Sequence, residues 1–249
     1  ELQKLAALVE YDGTEFIGFQ RQPVGRTVQG ELEKAVRQLA GTEASVHGAS
    51  RTDAGVHACG QVVSFWIRDN LAPHVVVRAL NHFLPGDVAL RGACVIDRDF
   101  DVRRRAVARA YRYCVRLGDG RMPLQSRFCF VMDGKLNIMR MRQAAKSLTG
   151  MHDFASFASS LEDDEPTVRV VHEARVVRKA DVVEFWITAN AFLRHQVRNT
   201  VGQLLRVGMG KCSVEEFAAL LQAPRQGVTG PAAPARGLCL ARVRYEPSL

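Results

Sequence analysis

Strand-patterned and helix-patterned stretches alternate in both halves of the chain, and the strands come in hairpin-like pairs without regular β-α-β spacing. This order constrains the fold most. It predicts an α+β class, with mainly antiparallel sheets and helices on one side. Leu5 to Tyr11 reads as a strand ending at the turn Asp12-Gly13. Thr27 can cap a helix to about Leu39, with Val28, Leu32, Ala35, Val36 and Leu39 as its apolar stripe and Gly41 as its stop. Strands are expected near Ser45–Ala49, over Gln61–Ile67 and over Asp87–Val95, with a helix from Pro73 that carries Val76, Leu80 and Phe83 on one side. The second half repeats the scheme. Ala108–Leu117 alternates as a strand, with Arg109, Tyr111, Tyr113 and Val115 on one face. Asn137 caps a helix to Leu148. Val168–Arg178 and Val182–Asn190 pair as strands through Lys179-Ala180-Asp181. Phe192–Val207 and Val214–Leu221 read as helices, Pro224–Gly237 as a loop and Leu238–Tyr245 as a closing strand. The weak likeness of the halves predicts two related domains, 1–105 and 106–249.

One stretch stands apart from this scaffold: Gly48-Ala49-Ser50-Arg51-Thr52-Asp53-Ala54-Gly55-Val56-His57-Ala58. A polar run sits among small residues, and a single carboxylate, Asp53, has Arg51 before it and Gly55 after it. Gly55 permits a turn that most residues resist, and small neighbours let a large ligand approach the backbone. A loop aspartate taken alone is more often a turn or cap residue. There is no paired carboxylate nearby for ordinary glycoside hydrolysis, no G-x-S-x-G elbow and no Walker lysine loop. A lone carboxylate with arginines available suggests a nucleophile held ionised by a cation. His57 and His195 are possible bases, although a structural histidine is the commoner case.

The net charge of +8, with a pI near 9.5, is distributed in clusters. Arg103, Arg104, Arg105, Arg109, Arg112 and Arg116 lie in one span, and Arg194, Arg198 and Arg206 recur on one helix. An anionic partner is expected, nucleic acid first, against the plainer reading of a solvated basic face. Apolar residues make up 47% and charged residues 24%, as in a folded soluble chain, and no apolar run reaches the ~20 residues of a membrane helix. The start, Glu1-Leu2-Gln3-Lys4-Leu5, lacks the basic head and apolar core of a signal peptide, and the missing initiator Met points to residues absent before it. The six cysteines form no C-x-x-C and no zinc spacing. Most read as small core residues, which predicts a reducing compartment, the cytoplasm.

The stretch Ala49–Ala58 resembles the signature of the TruA family of tRNA pseudouridine synthases. Further blocks resemble the family in order along the chain: Tyr11-Asp12-Gly13-Thr14, Gly18-Phe19-Gln20-Arg21-Gln22, Thr27-Val28-Gln29, Leu84-Pro85, Arg109-Ala110-Tyr111-Arg112-Tyr113, His152-Asp153-Phe154, Asn190-Ala191-Phe192-Leu193, Val197-Arg198-Asn199 and Ala233-Pro234-Ala235-Arg236-Gly237-Leu238.

The resemblance implies conversion of uridine to pseudouridine at positions 38, 39 and 40 of the tRNA anticodon stem-loop. It implies no metal, ATP, redox agent or other cofactor. It makes Asp53, in domain 1–105, the nucleophile or base. In domain 106–249, Arg198 becomes its cationic partner and Tyr111 the ring that stacks on the target base. Arg51 would enter the space the flipped base leaves. Gln20, Arg21 and Gln22 could line the RNA groove. The family pattern further implies two sheets meeting at a basic cleft with Asp53 on its floor, and a homodimer with no membrane association. The sequence departs from the pattern at Ala189, Arg194, Gln196, Asp101, Arg104 and Arg105, where substrate fit is affected. The alternative reading is a tRNA-binding or folding protein without activity, and a third is a nucleoside glycosidase, which needs a second carboxylate.

Overall fold

The computed structural model describes every residue except Asp69, Asp163 and Leu249. Two compact units emerge, one of Glu1–Arg109 with Cys239–Leu249, the other Ala110–Leu238.

The first unit begins with β1 (Leu2–Tyr11), followed by α1 (Val28–Ala40), β2 (His47–Gly48), β3 (His57–Arg68), α2 (Pro73–Phe83) and β4 (Val88–Ile96). β1 lies between β3 and β4, antiparallel to both, with Leu5 opposite Phe65 and Val95. Alternation sends Leu5, Ala7, Val9 and Tyr11 to the buried side, where α1 and α2 contribute Leu32, Val36, Val76 and Leu80. Each such fully buried aliphatic side chain contributes about 1.5–3 kcal/mol. Thr27 caps α1, its hydroxyl accepting the Gly30 N–H at 3.2 Å, and Gly41 closes the helix in the left-handed region, as the sequence predicts.

In the second unit, β5 (Ala108–Leu117) leads to β6 (Phe130–Met132), α3 (Ile138–Lys146), β7 (Gly150–Asp153), β8 (Val168–Lys179), β9 (Val182–Ala189), α4 (Gln196–Gly208) and α5 (Val214–Gln222). The strand order is β5-β9-β8-β7, with β6 beside β5. The β8–β9 hairpin turns where expected, with Lys179 opposite Val182. α3 packs on α4, α5 and β8. Phe154, Phe157 and Phe217 stack in series at centroid spacings of 6.0 and 5.8 Å. The chain closes with β10 (Leu238–Arg244), which runs parallel to β3 through Cys239–His57 and Leu240–Ala58. The split expected at residue 105 leaves this closing segment in the second half. Those backbone bonds, formed across a long sequence separation, draw it into the first unit instead.

The α+β class with mainly antiparallel strands is the observed one. Several element bounds differ from the sequence pattern. β3 starts at His57, not Gln61, because the β10 bonds extend it through a polar and glycine-containing stretch. β2 shrinks to two residues, and β6 and β7 appear where no pattern announced them. α4 starts at Gln196, not Phe192, because His195 takes a left-handed conformation with φ 59°. Leu193 is buried four residues before Val197, so apolar periodicity continues through residues that are not helical. Cys114 and Cys129, read from the sequence as small core residues, are joined as a disulfide. The parallel register of Val115 with Phe130 brings them side by side. Among the described residues, no helix is long and apolar enough to cross a membrane.

Candidate active site

The Asp53 stretch leaves the sheet of the first unit at Ser50. Ala49 still donates its N–H to the Val62 carbonyl of β3 at 2.8 Å. Ser50 instead meets the side chain of Gln61, whose Oε1 accepts the Ser50 N–H at 3.2 Å and whose Nε2 donates to the Ser50 carbonyl at 2.7 Å. Arg109, half-buried, donates to the carbonyls of Ala49, Arg103 and Ala106. The Thr52 carbonyl accepts the Phe19 N–H at 3.0 Å, and its hydroxyl bonds the buried Tyr11 hydroxyl at 2.7 Å. Asp53 forms an isolated β-bridge with Gly18, and its carbonyl accepts the Val56 N–H at 3.1 Å. Gly55 turns the chain with φ 74°, as the sequence predicts. Gly13 lies so close to this turn that a Cβ there would overlap the Val56 carbonyl. Asp53 is half-buried on this framework and Arg51 is exposed beside it.

Tyr111 and Arg198 lie in the second unit. Tyr111 is 6% exposed and meets Phe192 edge-on, with ring centroids 5.2 Å apart and planes at 90°, a geometry worth about 0.5–1.5 kcal/mol beyond burial. Tyr113 is fully buried and donates its hydroxyl to the Pro234 carbonyl at 2.7 Å. It is the structural tyrosine that the sequence predicts. Burial pushes its hydroxyl pKa up, against the opposing pull of Arg198 and Arg236. Arg198 stands in the first turn of α4. Its Nε–H donates to the Ala233 carbonyl at 2.9 Å, while Ala233 returns its N–H to the Arg198 carbonyl at 3.0 Å. The Pro/Gly-rich loop is thereby laid along α4, and a Cβ on Gly202 would overlap the Pro231 carbonyl.

Two side chains set the start of α4. Gln196 Oε1 accepts the Leu193 N–H at 2.8 Å, bridging the left-handed residue His195, and Asn199 Nδ2 donates to the Phe157 carbonyl at 2.7 Å. Gln196 departs from the family pattern and yet serves this turn. Asp101, another departure, accepts the N–H groups of Arg103 and Arg104 at 2.8 and 3.0 Å. Those bonds, Arg104's first, hold its carboxyl below the usual carboxylate range against a smaller desolvation effect. His57 is buried, and its Nδ1 accepts the Gly13 N–H at 3.0 Å, with Asp12 Oδ1 at 3.2 Å. It is structural here. His195 makes no side-chain cap to α4. Gln20, Arg21 and Gln22 are exposed on a loop where Arg21 pairs with Glu33 at 3.2 Å.

Sequence patterns missed Gln61, Arg109 and Tyr11 as parts of this framework. A single buried glutamine inside the apolar run of β3 is the one signal that could have found Gln61.

The family model described as tRNA pseudouridine synthase matches residues 7–103 and 144–246. A "tRNA pseudouridine synthase A" of Citrifermentans bemidjiense is 39% identical over 246 residues, covering 98% of both chains. One of Geobacillus kaustophilus is 40% identical, covering 98% of this chain and 95% of its own. One of Paramagnetospirillum magneticum is 42% identical, covering 97% and 94%. A match that runs through both units, with Asp53 in its first segment and Arg198 in its second, leaves one conclusion: the chain belongs to the tRNA pseudouridine synthase family.

Proposed function

We propose that the protein isomerises uridine to pseudouridine in tRNA, at positions 38, 39 and 40 of the anticodon stem-loop. The observation that supports this most is Asp53 on a loop tied to neighbouring chain at Ser50, Thr52 and Asp53 itself, in a chain of this family.

The chemistry assigns each group a task. The N1–C1′ bond breaks, the base turns, C5 bonds to C1′, the C5 proton leaves and N1 gains one. No atom is gained or lost overall, so the reaction needs a nucleophile or base and no cofactor. Asp53 starts the cleavage by attack at C1′ or by removing a sugar proton. Arg198 supplies the positive charge that pairs with it. Tyr111 stacks on the uracil ring and helps the C5 proton leave. A base within a stem must first leave its stack, at a cost of a few kcal/mol. Arg51, exposed beside Asp53, fills the gap with a planar guanidinium that lysine imitates poorly. The basic tracts hold phosphates, so affinity for tRNA falls steeply with salt. The same reading takes the protein as a cytoplasmic homodimer whose tRNA touches both subunits.

The test is release of tritium from tRNA labelled at uridine C5, with single-uridine anticodon-arm variants assigning the position. Release that is lost in Asp53→Ala supports the reading. A protein that binds the anticodon arm but releases no tritium is the inactive binder, and free uracil among the products would mark a glycosidase.

A further inference from the structure

Gln61 is completely buried, and both its amide oxygen and its amide nitrogen bond the chain that leads to Asp53. Its Oε1 accepts the N–H of Ser50 and that of Val62, each at 3.2 Å, and its Nε2 donates to the Ser50 carbonyl at 2.7 Å. Up to Ala49 this chain is bonded to β3 backbone to backbone, with Gly48 opposite Val63 and the Ala49 N–H on the Val62 carbonyl. At Ser50 it diverges from β3. A part-buried N–H and C=O would there lose their ladder partners, and backbone groups shielded from water are almost always paired. The glutamine amide carries the same donor and acceptor as a peptide group and replaces one rung of the ladder. Ser50 lies three residues before Asp53, and the next fixed points, at Thr52 and Asp53, are bonds to Tyr11, Phe19 and Gly18.

We propose that Gln61 is a positioning residue for catalysis: its side chain clamps Ser50 at the point where the loop departs and so sets where the Asp53 carboxylate stands. The inference rests on the functional reading of Asp53 given above. Displacement of a reacting group by about 1 Å costs on the order of 100-fold in rate, so a clamp of this kind acts on the chemical step and not on RNA affinity.

The experiment compares wild type, Gln61→Leu, Gln61→Glu and Asp53→Ala. Gln61→Leu keeps the volume and loses both bonds to Ser50. It is expected to bind tRNA within about 3-fold of wild type while its single-turnover tritium release falls on the order of 100-fold. Gln61→Glu loses the donor to the Ser50 carbonyl when ionised and regains it when protonated. Its rate relative to wild type therefore rises as pH is lowered. Hydrogen exchange reads the clamp without any catalysis. The Ser50 amide is protected in wild type and exchanges at least about 10-fold faster in Gln61→Leu, since a lost bond of about 1.4 kcal/mol is a tenfold change, while the Leu5 and Val63 amides stay protected.

An unchanged release rate in Gln61→Leu, loss of rate and binding in parallel, or a flat pH ratio in Gln61→Glu would overturn the clamp. If Gln61→Leu does not fold, the Gln61→Glu ratio decides. If wild type releases no tritium, the functional reading fails on its own, and protection of Ser50 still decides whether the clamp exists.

Discussion

The Asp53 loop and the first turn of α4 carry the two opposite charges of the proposed chemistry, and they are held in different ways. On the loop, the bonds described run through backbone groups of Ala49, Ser50, Thr52 and Asp53 and through the Thr52 hydroxyl. At α4 the guanidinium itself is part of the framework, because Arg198 Nε bonds the Ala233 carbonyl and fastens the Pro/Gly-rich loop to the helix. Replacing Arg198 removes one of these bonds, whereas replacing the Asp53 side chain leaves the backbone bonds of its loop available, so the two variants test how far function and stability separate.

The sharpest test of that contrast is Asp53→Ala. Tritium release should fall by about 10⁴-fold, with the backbone bonds of the loop retained. A variant that unfolds with its activity would show that the carboxylate is also a strut. Arg198→Lys comes next. Lysine keeps the charge but has no Nε–H to give Ala233, and a lost bond from a charged donor costs about 1.5–3 kcal/mol. The rate should drop about 100-fold along with that loss of stability. An unchanged unfolding curve would dissolve the contrast.

Close packing offers a matched pair with a smaller effect. Gly13→Ala pushes on the Val56 carbonyl next to Asp53, and Gly202→Ala pushes on the Pro231 carbonyl beside α4. Each should cost about 1–3 kcal/mol by overpacking, measured by chemical denaturation. Gly13→Ala should lower the rate with tRNA affinity intact.

The smallest expected effect is a pH dependence at Asp101. Its pKa is lowered by the Arg104 and Arg103 amides, so its contribution is present above the unfolded pKa and is lost as pH falls through the folded one. Amide shifts of Arg103 and Arg104 in an acid titration should follow that protonation, and Asp101→Asn, which keeps an acceptor oxygen, should remove the pH dependence without loosening the turn. Shifts unaffected by pH would show that the bonds do not depend on the charge.

Most of the scaffold was legible because local chemistry and tertiary structure agree there. The Thr27 cap, the α1 stripe, the β5 alternation and the β8–β9 turn are all set by neighbouring residues. The misreadings have a common cause. β3 gains its first residues from β10, β6 depends on β5, and the start of α4 depends on a left-handed histidine bridged by Gln196. Partners distant in sequence, or a backbone conformation that side-chain patterns do not encode, decided each one.

For the candidate site, the sequence by itself determined which residues are present: Asp53, Arg51, Tyr111 and Arg198, in blocks that mark the family, within a chain of net charge +8. It also determined the α+β class, since periodicity is a local property of the chain. Only the tertiary structure decided what holds them. Gln61 reads as one more strand residue until its amide is seen on both polar groups of Ser50, and Arg198 reads as one more basic residue until its Nε is seen on Ala233. Hydrogen bonds between residues distant in the chain are specified by how strands and helices pack, and no local pattern carries that information.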